Sequence, residues 1–359
     1  DKDDAGQSVT PVVPKLATTA ADGFDGDKNV VAMPGAEIID EVSYEGVAAG
    51  VEHEIRGTLK YKDTGEAVKD AKGNPVTATA KFTPELSSGK TKVTFRFDGT
   101  GIADSSACVV AEQLYVSGEL IAGHDDLSDE DQTVRLTTPK LATQAADGHD
   151  GDKNVVAMDG ATVTDTVKYS NVRKGETYQL SARLMWSDGT PVVDAKGKEV
   201  TGTGEFTAEA ESGEAKVTLS FDGSGIAKDG RSAVCFEKLL FDGEVIGSHE
   251  DAGDEDQTVE VTPPRLATQA ADGYGDGTNV VAMPDAKVTD TVKYENVRDG
   301  ETYQISGTLV WEDGTPVVDS QNKPVTAAGE FTAEGTYGEA QVTFTFDGSN
   351  LVDGFRKAV

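Results

Sequence analysis

The chain has 359 residues, of which 37% are hydrophobic and 27% charged, and its formal net charge is −32. That charge argues against nucleic acid or an anionic membrane as a natural partner, and it keeps a long exposed molecule soluble. Two cysteines, Cys108 and Cys235, are too few for a disulfide framework and read as small core hydrophobes, and no apolar run reaches the length of a membrane span.

The opening DKDDAGQ belongs to an N-terminal tail expected over residues 1–11, and it carries no signal peptide. The end carries no sorting sequence, as expected of a piece of a longer precursor. From there the chain repeats itself. PKLATTAADGFDGDKNVVAM at 14–33 recurs as PKLATQAADGHDGDKNVVAM at 139–158 and as PRLATQAADGYGDGTNVVAM at 264–283, an offset of 125 residues each time. The same offset relates Asp40, Asp165 and Asp290, then Tyr44, Tyr169 and Tyr294, then His124 with His249 and Gln132 with Gln257. A period this long is a whole domain. Three repeats are therefore expected, at 12–137, 138–262 and 263–359, the last lacking the final strands of its siblings.

Within a repeat the pattern has period two, not 3.6. ATVTDTVKY, ETYQLSARLMW, AKVTLSFDG and SAVCFEKLLF are β-rich runs separated by turn signals such as SDGTP, AKGKE and FDGSG. The fold class is all-β: tandem immunoglobulin-like β-sandwich domains in a linear array. The junctions TVRLTTPKLAT and TVEVTPPRLAT are short and carry proline, so the array reads as stiff.

Strand alternation then separates the faces. The opening strand groups Leu141, Thr143 and Ala145. The next group is Val163, Asp165, Val167 and Tyr169, matched by Ile38, Asp40, Val42 and Tyr44 in the first repeat. On a later strand Ala233, Cys235, Glu237, Leu239 and Phe241 share a face, matched by Cys108, Val110, Glu112, Leu114 and Val116. The closing strand groups Gln257, Val259 and Val261. Each complete repeat thus places one Thr, one Asp, one Glu and one Gln on inward faces. A buried carboxylate without a partner costs several kcal/mol, and two together share one proton. His124 and His249 lie eight residues before Gln132 and Gln257, on the same face if the strand stays regular.

Parity leaves two readings open. One is a buried polar network that fixes strand register. The other is intramolecular acyl transfer: the Thr hydroxyl attacks the Gln amide, His takes the proton, the carboxyl pair polarises the amide oxygen, and ammonia leaves.

These pieces resemble the Thr–Gln ester-bond domains, also called VaFE repeats, of Gram-positive bacterial surface adhesins. The matching motifs are LATxA, TDTVxY, AVCFE, and the closing HDDLSDEDQTV at 124–134 and HEDAGDEDQTV at 249–259. The resemblance implies autocatalytic esters joining Thr18 to Gln132 and Thr143 to Gln257. It implies assisting roles for Asp40, Glu112 and His124, and for Asp165, Glu237 and His249. The first repeat departs from the motif at CVVAEQL, where Ala111 stands in place of Phe236. The third keeps Thr268 and Asp290 but has no matching Glu, His or Gln, an incomplete site.

The acidic runs DGFDGDKN and DGHDGDKN lack EF-hand spacing and read as turns with solvated carboxylates, with a weak surface cation site as the alternative; no metal ligands are assigned and no cofactor is expected. His149, aligned with Phe24 and Tyr274, and His53, aligned with Tyr178, read as variants without a role. Trp186 and Trp311 share a position occupied by Tyr61 in the first repeat and read as strand packing. The resemblance implies a secreted, wall-anchored stalk, a monomeric rod that is no turnover enzyme, whose host ligand is held by a tip outside this chain. The competing reading is a ligand-binding adhesin module for glycan or matrix protein.

Overall fold

The computed structural model describes residues 10–275, 277–351 and 357–359, so most of the expected tail at 1–11 lies outside the described residues. Among the described residues every regular element is a strand, and no helix is long and apolar enough to cross a membrane. The first repeat holds β1 (Lys15–Asp22), β2 (Asn29–Val31), β3 (Ala36–Glu45), β4 (His53–Tyr61), β5 (Thr77–Phe82), β6 (Ser88–Phe97), β7 (Ser106–Val116), β8 (Glu119–His124) and β9 (Thr133–Thr137). They form two sheets, β1-β3-β6 and β2-β9-β7-β4-β5, with β8 paired to β7. The alternation that suggested strands is also what builds the sandwich: β3 is buried at every second residue, so Ile38, Val42 and Tyr44 face Ile55, Leu59 and Leu114 across the core.

The second repeat repeats this order with β10 (Lys140–Asp147), β11 (Asn154–Val156), β12 (Ala161–Ser170), β13 (Thr177–Trp186), β14 (Thr201–Thr207), β15 (Gly213–Phe221), β16 (Arg231–Phe241), β17 (Glu244–His249) and β18 (Thr258–Thr262). Its sheets are β10-β12-β15 and β11-β18-β16-β13-β14, with β17 on β16. One glycine recurs in all three repeats for a steric reason. Gly89, Gly213 and Gly338 pair with Tyr44, Tyr169 and Tyr294, and a Cβ there would fall within 2.5 Å of each tyrosine hydroxyl.

The third repeat holds β19 (Arg265–Asp272), β20 (Ala286–Glu295), β21 (Thr302–Thr308), β22 (Thr326–Thr332) and β23 (Tyr337–Phe346). The sheet β19-β20-β23 is like its siblings, but among the described residues the facing sheet is the pair β21-β22. Ala358 bridges Trp311, the place where Ala233 pairs with Trp186 one repeat earlier. The core is correspondingly divided into two small clusters, and the central stretch of β19 is exposed.

Successive repeats meet through a repeated contact. Met33 is fully buried in the core of the second repeat, where the Tyr178 hydroxyl lies 3.9 Å from its sulfur. Arg173 caps the contact, donating to the carbonyls of Pro34 and Val31 and stacking 4.0 Å from the Phe24 ring. Met158, Tyr303 and Arg298 repeat the arrangement at the next junction. In the first repeat the tyrosine's place is taken by His53, which is buried, with Nδ1 2.8 Å from the Val51 carbonyl. His149 is exposed. Trp186 is buried beneath Arg231, whose guanidinium lies 4.1 Å from its ring.

Candidate functional site

The antiparallel pairing of β1 with β3 sets Thr18 opposite Val42 and Ala20 opposite Asp40, so Thr18 and Asp40 point to the same interior. Glu112 enters from β7 in the facing sheet, and Gln132 enters from the turn just before β9. Asp40, Glu112 and Gln132 are fully buried and Thr18 is 5% exposed. The second repeat places Thr143, Asp165, Glu237 and Gln257 in the same way.

In the first repeat the Gln132 amide nitrogen donates both to the Thr18 hydroxyl and to Glu112 Oε2, the latter at 2.7 Å. In the second, Gln257 donates to Glu237 Oε2 at 2.6 Å, and the Thr143 hydroxyl donates to the same oxygen at 3.2 Å. Hydroxyl, carboxamide and carboxyl therefore meet in both repeats.

Both oxygens of Asp40 and of Asp165 lack a partner, as do Glu112 Oε1, Glu237 Oε1 and the carboxamide oxygens of Gln132 and Gln257. Acceptors this deeply buried need a donor. A single proton held between the two carboxyls supplies one to the facing aspartate and glutamate. Burial pushes the Glu112 carboxyl far above the usual range, and the neighbouring Asp40 pushes it further. Glu237 is raised for the same reasons, with Asp165 as its neighbour. Burial also raises Asp40 and Asp165, but there the hydrogen bond from the glutamate and the positive charge of nearby groups pull back. Both carboxyls are raised, the glutamate further, which favours the glutamate side of the pair for the shared proton.

The histidine arrives by a different path from the one that even spacing suggests. His124 ends β8, opposite Glu112 on β7, and the chain then leaves the sheet over residues 125–132 before Gln132. His124 and Gln132 therefore do not share one strand face; a loop separates them and they converge from two elements. His249 Nδ1 lies 3.4 Å from the Thr143 hydroxyl, whereas His124 Nδ1 lies 3.3 Å from the Leu16 carbonyl.

Two kinds of residue were overlooked in the sequence. Asp129 and Asp254 face the far ring nitrogens of His124 and His249 at 2.9 and 3.2 Å. In the second repeat this pairing suits a proton on Nε2 and leaves the His249 Nδ1 as an acceptor facing the Thr143 hydroxyl, whereas the His124 Nδ1 faces a carbonyl. Their signal was present in the shared HxDxxDxxQ spacing, five residues after the histidine. Lys28 and Lys153 also bind the carbonyl of the residue just before each glutamine, at 2.6 and 2.7 Å.

Thr268 and Asp290 keep their strand positions, yet Thr268 is exposed and one oxygen of Asp290 is left without a partner. Among the described residues nothing takes the places of Glu237, His249 and Gln257 in that repeat. Ala111 is buried and points away from the side that carries Glu112, so its exchange for phenylalanine leaves the carboxyl pair unchanged. Cys235 lies within reach of Asp165 and Glu237, but Val110 holds that place in the first repeat, so the carboxyl pair does not depend on sulfur. Both thiols are free, and burial raises their pKa. The acidic entrance runs serve as turn acceptors: Asp22 Oδ1 takes the Phe24 amide, Asp25 the Asp27 amide and Asp27 the Asn29 amide.

A curated relative, the autotransporter adhesin BadA of Bartonella henselae, is 26% identical over 237 residues, covering 63% of this chain and 8% of that protein. Among solved structures, a Mobiluncus mulieris bacterial adhesin containing disulfide, isopeptide and ester bond cross-links is 15% identical at a TM-score of 0.28, covering 75% of this chain and 89% of its own. The C-terminal domain of the Streptococcus agalactiae antigen I/II polypeptide BspA is 11% identical at a TM-score of 0.34, covering 69% and 99%. The T-Q ester bond containing domain matches three times, over residues 14–136, 139–261 and 264–358, and the chain belongs to that family.

Proposed function

We propose that each of the first two repeats locks itself with an ester, Thr18 to Gln132 and Thr143 to Gln257, and that the array is a structural stalk of a bacterial surface adhesin. The observation that carries this reading is the convergence of hydroxyl, carboxamide and a proton-sharing carboxyl pair in a buried pocket, built twice from the same positions.

The threonine oxygen attacks the glutamine side-chain carbonyl carbon, forming the O–C bond and giving up its proton to His Nδ1. Half a turn of the carboxamide brings its oxygen to the protonated glutamate, which donates to it as negative charge develops. The C–N bond then breaks, the histidine returns the proton to the leaving nitrogen, and ammonia departs. Atoms balance without water or a cofactor. Packing holds the reactants in contact, which replaces a bimolecular encounter with an intramolecular one. The same burial keeps water from the finished ester, so the reaction is single-turnover rather than that of a hydrolase.

Thr18 lies on the first strand of its sandwich and Gln132 beside the last, so tension along the chain enters at one and leaves at the other. A stalk of this kind suits secretion to a bacterial cell wall. It leaves ligand binding to a domain outside this chain, and its charge of −32 disfavours nucleic acid and membrane.

The intact mass of the folded chain tests the proposal. It is expected to fall short of the sequence by two ammonia masses, with Thr18→Ala and Thr143→Ala each restoring one. A folded chain of unmodified mass would leave only a buried polar network.

A further inference from the structure

A lysine brackets the glutamine segment in each complete repeat. The Lys28 ammonium donates to the Ala20 carbonyl at 2.5 Å and to the Asp131 carbonyl at 2.6 Å. Ala20 is two residues past Thr18, and Asp131 immediately precedes Gln132. The main-chain carbonyl of Lys28 accepts the Arg135 amide, three residues beyond Gln132, at 2.7 Å. One residue is therefore tied to the chain on both sides of the glutamine and to the threonine strand. Lys153 repeats every contact: Ala145 at 2.7 Å, Asp256 at 2.7 Å, Glu255 at 3.4 Å, and its own carbonyl to the Glu260 amide at 2.7 Å.

We propose that Lys28 and Lys153 are positioning residues for ester formation, holding the glutamine backbone against the threonine strand until the bond closes; this rests on the ester reading above. The chemistry of the contact explains the choice of residue. The Ala20 and Asp131 carbonyls point their negative ends at a common locus, and Asp131 already accepts the Ala20 amide. An ammonium is a compact charge with three rotatable donors, able to bridge two such carbonyls where a hydroxyl cannot. On the far side, the Gln132 carbonyl accepts the Val110 amide from the strand that carries Glu112. The segment is thus held between the nucleophile's strand and the acid's strand. Without the lysine the first of these two attachments rests on one amide. Its charge also lies near the buried pair, where it favours ionised Asp40 and Asp165 and leaves the proton to the glutamate. In the third repeat the equivalent position is Thr278, which is too short to make this bridge.

The test follows ammonia loss in newly synthesised full-length chain by peptide mass, repeat by repeat. Lys153→Met is expected to slow closure of the second repeat by about tenfold or more, with the first repeat unchanged as an internal standard. Lys153→Arg, which keeps the donors and the charge, is expected to recover most of the rate. In a Thr143→Ala background, Lys153→Met is expected to leave amide exchange across β10, β16 and β18 unchanged except at Ala145. Wild-type closure in Lys153→Met would overturn the proposal. So would a slowdown accompanied by general loss of exchange protection, which would make the lysine a determinant of the fold. Failure of both repeats to lose ammonia in the wild type would instead remove the ester reading itself.

Discussion

The first two repeats and the third present the same threonine on the same strand, in different surroundings. Thr18 and Thr143 are 5% and 6% exposed, pressed against a glutamine and a protonated glutamate that the facing sheet delivers. Thr268 occupies the matching register opposite Val292 and is open to solvent, where the facing sheet among the described residues is two strands. The nucleophile's own strand is thus indifferent to the chemistry. What distinguishes the first two threonines is the second sheet, which brings the acid and the carboxamide to them and buries all three together. Under the proposed chemistry, fold completion and reactivity would be one event, so a partly folded repeat would not close the wrong bond.

The comparison is broken most visibly by force. With the proposed esters in place, tension is expected to pass across the first two sandwiches and leave the 114 residue steps between Thr18 and Gln132 slack. Thr18→Ala is expected to release them, adding one step of roughly 400 Å at about 3.4 Å per residue. Adding Thr143→Ala gives a second such step, while the third repeat yields at low force in every variant. Identical extension traces for wild type and mutants would contradict the stalk function even with an ester present.

Chemistry sharpens the comparison next. Glu237→Gln removes the proton donor and Asp165→Asn removes the charge that keeps the proton on its neighbour. Each is expected to slow closure of the second repeat by about a hundredfold or more while the first repeat closes normally. Peptide mass after a fixed time reads both repeats in one sample. Normal closure in both variants would reduce the pair to a packing element.

The smallest effect is on the pH dependence of a repeat that cannot close. Burial and the adjacent aspartate raise Glu237 from 4.5 to about 9, so the folded state holds a proton that the unfolded chain has released. The stability from that proton is complete below about pH 4.5 and drains away as pH rises toward about 9. In Thr143→Ala, the melting temperature of the second repeat is expected to fall across that window. In Thr18→Ala the first repeat continues to fall further, because Glu112 is pushed up to about 11. The third repeat, with no glutamate in that place among the described residues, lacks this contribution. A melting temperature that rises across the window would reverse the assignment of the proton.

Strand parity made much of the site legible. Asp165 on an otherwise apolar face and Glu237 among Ala233, Cys235 and Leu239 are visible in sequence because a two-residue period converts position into direction. Parity works only within a strand. His124 and Gln132 are eight residues apart and converge on one pocket, but through a strand end and a loop. Lys28 was hidden for a related reason: it lies in a turn, where no period applies, and its contacts are to backbone carbonyls that carry no sequence signal. His53 shows a third limit. It opens β4 on the same inward face as Ile55 and Leu59 and packs on Phe82 with ring centroids 5.5 Å apart, so the alternation held the signal, but a histidine aligned with a tyrosine does not read as core.

The most direct test is the identity of the joined peptides after proteolysis of the folded wild-type chain. The account predicts two branched species, one linking the Thr18 peptide to the Gln132 peptide and one linking Thr143 to Gln257, each lighter by one ammonia than its parts. It predicts no such species containing Thr268. Linear peptides with intact Gln132 and Gln257 side chains, recovered from folded protein, would contradict it.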